Sequence, residues 1–151
     1  MEIRITSDPI DPAAELAALS GVHKAAGAVV SFCGQVRSDE SAPITTLEIE
    51  HYPGMTETAI AAIVAEAEAR WDLLAGRVIH RHGQLSPGET IVFVATVAAH
   101  RHAALHAADF IMDYLKTRAP FWKKEHGPEG GHWVGSRTED EAAARRWSDD
   151  S

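Results

Sequence analysis

The chain has 151 residues, of which 45% are hydrophobic and 24% charged, with a formal net charge of −8. A chain of that length folds as one domain and buries roughly two-thirds of its unfolded surface. The acidic balance argues against nonspecific nucleic-acid binding. The single cysteine excludes an internal disulfide, and no apolar run reaches the ~20 residues of a membrane span.

Glu2 to Thr6 alternates apolar and polar residues and predicts a short strand. Glu2, Arg4 and Asp8 leave no apolar core for a signal peptide, so a cytoplasmic location is expected. Asp11 is placed to cap a helix with Pro12 in its first turn, and Gly21 to end it. Gly27 to Cys33 is an apolar, β-rich run that predicts a buried strand ending at Gly34, with Gln35, Val36 and Arg37 emerging at its edge. Ser38 to Pro43 is small, polar and turn-rich, which predicts a mobile loop beside Arg37. Thr45 to His51 alternates again, with Leu47 and Ile49 on one face and Glu48 and Glu50 on the other.

Thr56 is expected to cap a helix running to about Trp71, with a buried stripe of Ile60, Ile63, Val64, Ala67 and Trp71. A hairpin follows. Val78 to Leu85 forms its first strand, Ser86-Pro-Gly-Glu89 a type II turn, and Thr90 to Ala99 a central, buried partner. The next helix is predicted from about His102 to Arg118. Ala104, Leu105, Ala108, Ile111, Met112 and Leu115 make its buried face, and Pro120 stops it. His126 to Gly131 reads as a glycine-rich loop and His132 to Val134 as a short strand. Thr138 to Glu141 reads as a capping box opening a last helix to about Trp147. Residues 148–151 are expected to be disordered, leaving a domain over residues 1–147. The element order is α+β.

The stretch from Tyr114 to Glu125 carries four basic residues in twelve positions, with the two large aromatics Phe121 and Trp122 after its proline. Lys116 falls in the last turn of a helix, where a cation suits the negative end of the dipole. Phe121 and Trp122 are able to anchor the chain beyond it, so that Lys123 and Lys124 are held in place. From Arg77 to Glu125 there are seven basic residues against four acids, a locally positive region in an acidic chain. Such a region suits a small anionic ligand or an acidic partner surface. His100 and Arg101 fall on a strand-to-helix junction, where ligand groups often gather. Arginine offers paired donors that match phosphate. Lysine supplies a point charge or, once desolvated, a proton donor or base.

Nine histidines raise the question of a metal. His80 and His82 share a strand face and His102 and His106 lie one helical turn apart, but zinc needs three or four converging ligands. Cys33 sits inside an apolar run without a neighbouring base, so a small buried hydrophobe is the better reading than a nucleophile.

Phe110–Glu125 (FIMDYLKTRAPFWKKE) closely resembles a signature of the catalytic (large) subunit of molybdopterin synthase. The resemblance continues, in order, through Gly27–Arg37 (GAVVSFCGQVR), Leu47–Glu57 (LEIEHYPGMTE), His80–Gly83 (HRHG) and Ala99–Arg101 (AHR), and covers roughly Ile3 to Trp147. Several blocks in order are far more specific than one short motif. The resemblance implies a hammerhead-like α+β fold with an added antiparallel β portion. It also implies a sulfurtransferase of molybdenum cofactor biosynthesis that converts cyclic pyranopterin monophosphate (precursor Z) to molybdopterin.

The sulfur would come from the thiocarboxylated C-terminal Gly-Gly tail of a small ubiquitin-like subunit. The assembly would be a heterotetramer around a homodimer of this chain, with no cofactor and no metal. By position, the substrate contacts would be Gln35, Val36, Arg37, His100, Arg101, Lys116, Lys123, Lys124 and Glu125. Lys116 and Lys123 would be catalytic, and Arg37, His100 and Arg101 would take the phosphate. Two rivals remain at this point: a noncatalytic module binding a phosphorylated small molecule, and a histidine-metal hydrolase.

Overall fold

The computed structural model describes residues 1–135 and 137–148, so of the disorder expected over 148–151 only Ser148 is described, in a turn where its amide donates to the Arg145 carbonyl, and 149–151 lie outside the described residues. Two four-stranded sheets and four helices form a single α+β domain. The first sheet has the order β1-β4-β6-β2, from β1 (Glu2–Thr6), β4 (Ala75–Arg81), β6 (Thr90–Ala98) and β2 (Ala28–Gln35). Its β1–β4 pair is parallel and its other pairs are antiparallel. β6 alternates between two cores, as a central strand with both faces covered must. Val92 and Val94 pack on one side with Ile60, Ile63 and Val64 of α2 (Met55–Trp71) and Phe110 and Ile111 of α3 (Arg101–Thr117). Phe93, Ala95 and Val97 pack on the other with Leu19 of α1 (Pro12–Leu19). Asp11 caps α1 as expected, its side chain accepting from the Ala14 amide at 3.2 Å.

The second sheet has the order β5-β3-β7-β8, from β5 (Gly83–Leu85), β3 (Thr46–His51), β7 (Phe121–Gly127) and β8 (Gly130–Val134). Leu47, Ile49, Leu85 and Val36 make its own small core. The strand expected over Val78 to Leu85 is therefore two strands in two sheets. The chain breaks at His82 and turns at Gly83, whose φ of 97° suits a residue without a Cβ. The following turn does close as a type II turn, with Gly88 at φ 90° and the Glu89 amide donating to the Ser86 carbonyl at 3.1 Å.

Other expectations are corrected by tertiary contacts. The strand expected over His132 to Val134 lies within β8, but the segment before it is not a loop: Phe121 to Gly127 forms β7, because Phe121 to His126 pairs along β3, and the two strands make a hairpin. β2 is an edge strand, so Ser31, Phe32 and Cys33 are exposed rather than buried. Leu105 is half exposed, while Ala107, Phe110 and Tyr114 take its place on the buried face of α3. α4 (Thr138–Arg145) starts from Arg137, whose amide donates to the Asp140 carboxylate, one residue ahead of the expected capping box. The loop from Ser38 to Pro43 folds around Asp39, whose carboxylate accepts from the amides of Ser41 and Ala42. No helix among the described residues is long and apolar enough to cross a membrane.

Thr56 does not cap α2. It lies inside the helix, which starts from Gly54, and it is fully buried. Its hydroxyl accepts from the Tyr52 amide at 2.9 Å and donates to the Pro120 carbonyl at 3.1 Å, fixing the point where α3 gives way to β7. Thr56→Val keeps the shape and deletes both bonds, leaving the Tyr52 amide and Pro120 carbonyl without that partner. It should lower unfolding free energy by about 1–3 kcal/mol, read as a lower urea midpoint at unchanged slope.

Candidate active site

A cleft of about 590 Å³ opens at the seam between the two sheets. One wall is the end of β2 with the turn after it, from Phe32 and Gly34 through Gln35, Val36 and Arg37 to Asp39. A second is the last turns of α3 with Met112, Leu115 and Lys116. The third comes from β7 and the segment leading into α4, with Phe121, Lys123, Glu125, Val134, Gly135, Arg137 and Asp140. Val36 is held by two backbone bonds to the hairpin turn, from its amide to Glu89 and from the Gly88 amide back to it. That pinning leaves the neighbouring Arg37 exposed at the cleft's rim, where it meets the Asp39 carboxylate at 3.3 Å.

β7 organises the floor through its pleat. Successive side chains point to opposite faces, so Phe121, Lys123 and Glu125 face the cleft while Trp122, Lys124 and His126 face away. Lys124 places its ammonium over the Trp133 ring at 5.4 Å instead. Burial, and then the charge of the neighbouring Lys116, push Lys123 down from 10.5 to about 8. Lys116 itself is exposed at the helix end. Among the described residues, neither lysine is ion-paired to a carboxylate. Two ammonium groups held together without counter-ions make a site that gains from an anion.

Behind Lys123 lies His80, which is 5% exposed. Its ring stacks on Phe121 with centroids 3.7 Å apart and 15° between planes. Burial, and then the Lys123 charge, push it down to about 3, so it is neutral at every ordinary pH.

Of the expected site residues, the chain thus brings together Gln35, Val36, Arg37, Lys116, Lys123 and Glu125. It does not bring His100 and Arg101, which stand at the other end of α3 from Lys116, roughly 20 Å or more along the helix axis. Reading the sequence missed Phe32, Met112, His80 and Asp140. Only His80 carried a usable signal, through the block HRHG. No three histidine, cysteine, aspartate or glutamate side chains converge as a metal site among the described residues. Cys33 faces away from the cleft, since its neighbours Phe32 and Gly34 line it.

The family model described as MoaE protein matches residues 5–118. A molybdopterin synthase catalytic subunit from Mesorhizobium japonicum is 54% identical over 152 residues, covering 99% of this chain and 94% of that one. One from Pseudomonas aeruginosa is 51% identical over 150 residues, covering 99% and 100%. Among solved structures, the molybdopterin biosynthesis MoaE protein from Burkholderia ambifaria superposes with a TM-score of 0.82 at 48% identity, covering 97% of each chain. The molybdopterin synthase of Staphylococcus aureus gives 0.79 at 30%, covering 87% and 95%. The chain therefore belongs to the MoaE family, that of the molybdopterin synthase catalytic subunits just described.

Proposed function

We propose that this chain converts precursor Z to molybdopterin, taking two sulfurs from the thiocarboxylated C-terminus of a small ubiquitin-like subunit. The observation that carries this reading is the pair Lys116 and Lys123, two cations without carboxylate partners, in a cleft that Arg37 borders. Both reactants are anions, a phosphorylated pterin and a thiocarboxylate, and such a cleft attracts both. At each of two substrate carbons a sulfur replaces an oxygen, and the donor tail returns as a carboxylate. The leaving oxygen needs a proton and the arriving anion needs a counter-charge. Lys123, held near 8, supplies the first and Lys116 the second. A merely binding module would use the charges but has no need of a desolvated lysine.

His100 and Arg101 enter through a second copy. The outer edge of β2 has no partner among the described residues. Gly27 stands beside His100 at one end of this strand, where its amide bonds Ala98, and Arg37 stands at the other. A two-fold pairing of two such edges runs antiparallel. It would lay His100 and Arg101 of one copy beside Arg37 of the other, completing a phosphate site with charge-assisted bonds. The small subunit would then sit at each outer end, making the heterotetramer.

The test is reconstitution. The protein, precursor Z and a thiocarboxylated small subunit should yield molybdopterin, and omission of the thiocarboxylate should abolish it. Three variants sharpen the outcome. Lys123→Ala and Lys123→Arg should both lose ~10²–10⁴-fold in single-turnover sulfur transfer with the complex intact, because arginine keeps the charge but cannot give up its proton. Near-normal transfer by Lys123→Arg would remove the proton-transfer role. Cys33→Ala should stay within a few-fold of the parent protein, since the sulfur arrives on another chain. Finally, Arg101→Ala and Lys123→Ala, each inactive alone, should recover measurable activity when co-expressed, since a mixed dimer contains one complete site. No recovery in a verified mixed dimer would place Arg101 outside the shared site.

A further inference from the structure

His80 is a buried histidine close enough to Lys123 to feel its charge. Its Nδ1 lies 2.7 Å from the Arg81 carbonyl. A carbonyl only accepts, so Nδ1 carries the ring's proton and Nε2 is left as a bare acceptor. Among the described residues Nε2 has no hydrogen-bond partner, yet it is not one of their sealed, unsatisfied atoms. It therefore opens onto the cleft that His80 helps to line. The ring's plane is fixed by the stack on Phe121, and Lys123 is two residues further along the same face of β7. Residues two apart on a strand stand roughly 7 Å from one another, within the span of a lysine side chain.

We propose that His80 is a positioning residue for Lys123: a turn of the Lys123 side chain brings its ammonium to the bare Nε2, which then accepts a hydrogen bond from it and directs it toward the centre of the cleft. The inference rests on the reading of Lys123 as the proton donor in sulfur transfer. The groups around the pair act in both directions. Lys116 on α3 and burial oppose the charged amine, Asp140 on α4 favours it, and His51 on β3 adds to the cost of charging His80. An acceptor on His80 keeps Lys123 protonated until the reaction draws the proton off. The imidazole does not take that proton itself, because burial holds it to about 3 and an amine at about 8 binds a proton far more tightly. His80 thus holds the donor without draining it.

The experiment measures the titration of Lys123 directly, by pH-dependent competitive acylation of its amine read by mass spectrometry, alongside single-turnover sulfur transfer. His80→Phe keeps the stack on Phe121 and removes the acceptor. It should lower the Lys123 midpoint by about one pH unit, tenfold in proton affinity, and slow transfer with its pH limb moved by the same amount. His80→Gln, whose amide oxygen reaches the position of Nε2, should restore both. If His80→Phe does not fold, His80→Asn reads the same quantity, since it can donate to the Arg81 carbonyl but falls short of the cleft. An unchanged Lys123 midpoint in a folded deletion variant, or no recovery in His80→Gln, overturns the proposal. If sulfur transfer is absent from the parent protein, the functional reading fails, and the Lys123 midpoint still decides the role of His80.

Discussion

The stack of His80 on Phe121 joins one sheet of this protein to the other, and the site depends on it. His80 ends β4 of the first sheet, and Phe121 begins β7 of the second. Two flat rings 3.7 Å apart set the distance between the sheets at the point where the cleft opens. Thr56 fixes the same corner from behind through the Pro120 carbonyl. With both in place, α3 delivers Lys116 and β7 delivers Lys123 to one spot from opposite sides of Pro120. The proline thus does more than end a helix: it reverses the chain so that residues on either side of it share a site.

That arrangement carries an energetic cost with a definite sign. Lys123 and His80 both bind protons less readily in the folded protein than in the unfolded chain. For Lys123 the unfolded chain holds the extra proton between about pH 8 and 10.5, so this group's contribution to stability rises with pH across that window. For His80 the corresponding window is about 3 to 6.5, and its contribution is lost as pH falls through it. A chain free of functional demands would place a leucine or methionine at either position. Strain of this kind, beside two lysines that make no ion pair among the described residues, is what a site for anions needs.

Much of this was legible in the sequence, and the failures share a cause. Local signals succeeded where local physics decides: the Asp11 cap, the Ser86–Glu89 turn, the alternation of Leu47 and Ile49, the proline stop after α3. They failed where a distant strand decides. Phe121 to His126 has no strand pattern of its own and becomes β7 because β3 lies alongside. β2 is as apolar as a central strand and becomes an edge because, among the described residues, β6 alone pairs with it. The site divided the same way. Arg37, Lys116 and Lys123 were visible as cations at element ends. His80 and Asp140 entered only once the fold brought them close, and His100 with Arg101 stayed at the far end of α3.

Cys33 has a consequence for the fate of sulfur. Reading the strand as buried made it an inert core residue, yet it is exposed, on the back of the strand whose other face lines the cleft. Partial burial raises its thiol above the usual range, so little of it is thiolate at working pH. A thiolate facing the cleft would be placed to attack the carbonyl of a thiocarboxylate tail, expelling hydrosulfide and leaving the tail as a thioester on the enzyme. Under the proposed sulfur transfer, one residue of pleat and a raised pKa would keep the protein's own thiol out of the reaction, so that each donated atom would have a single destination.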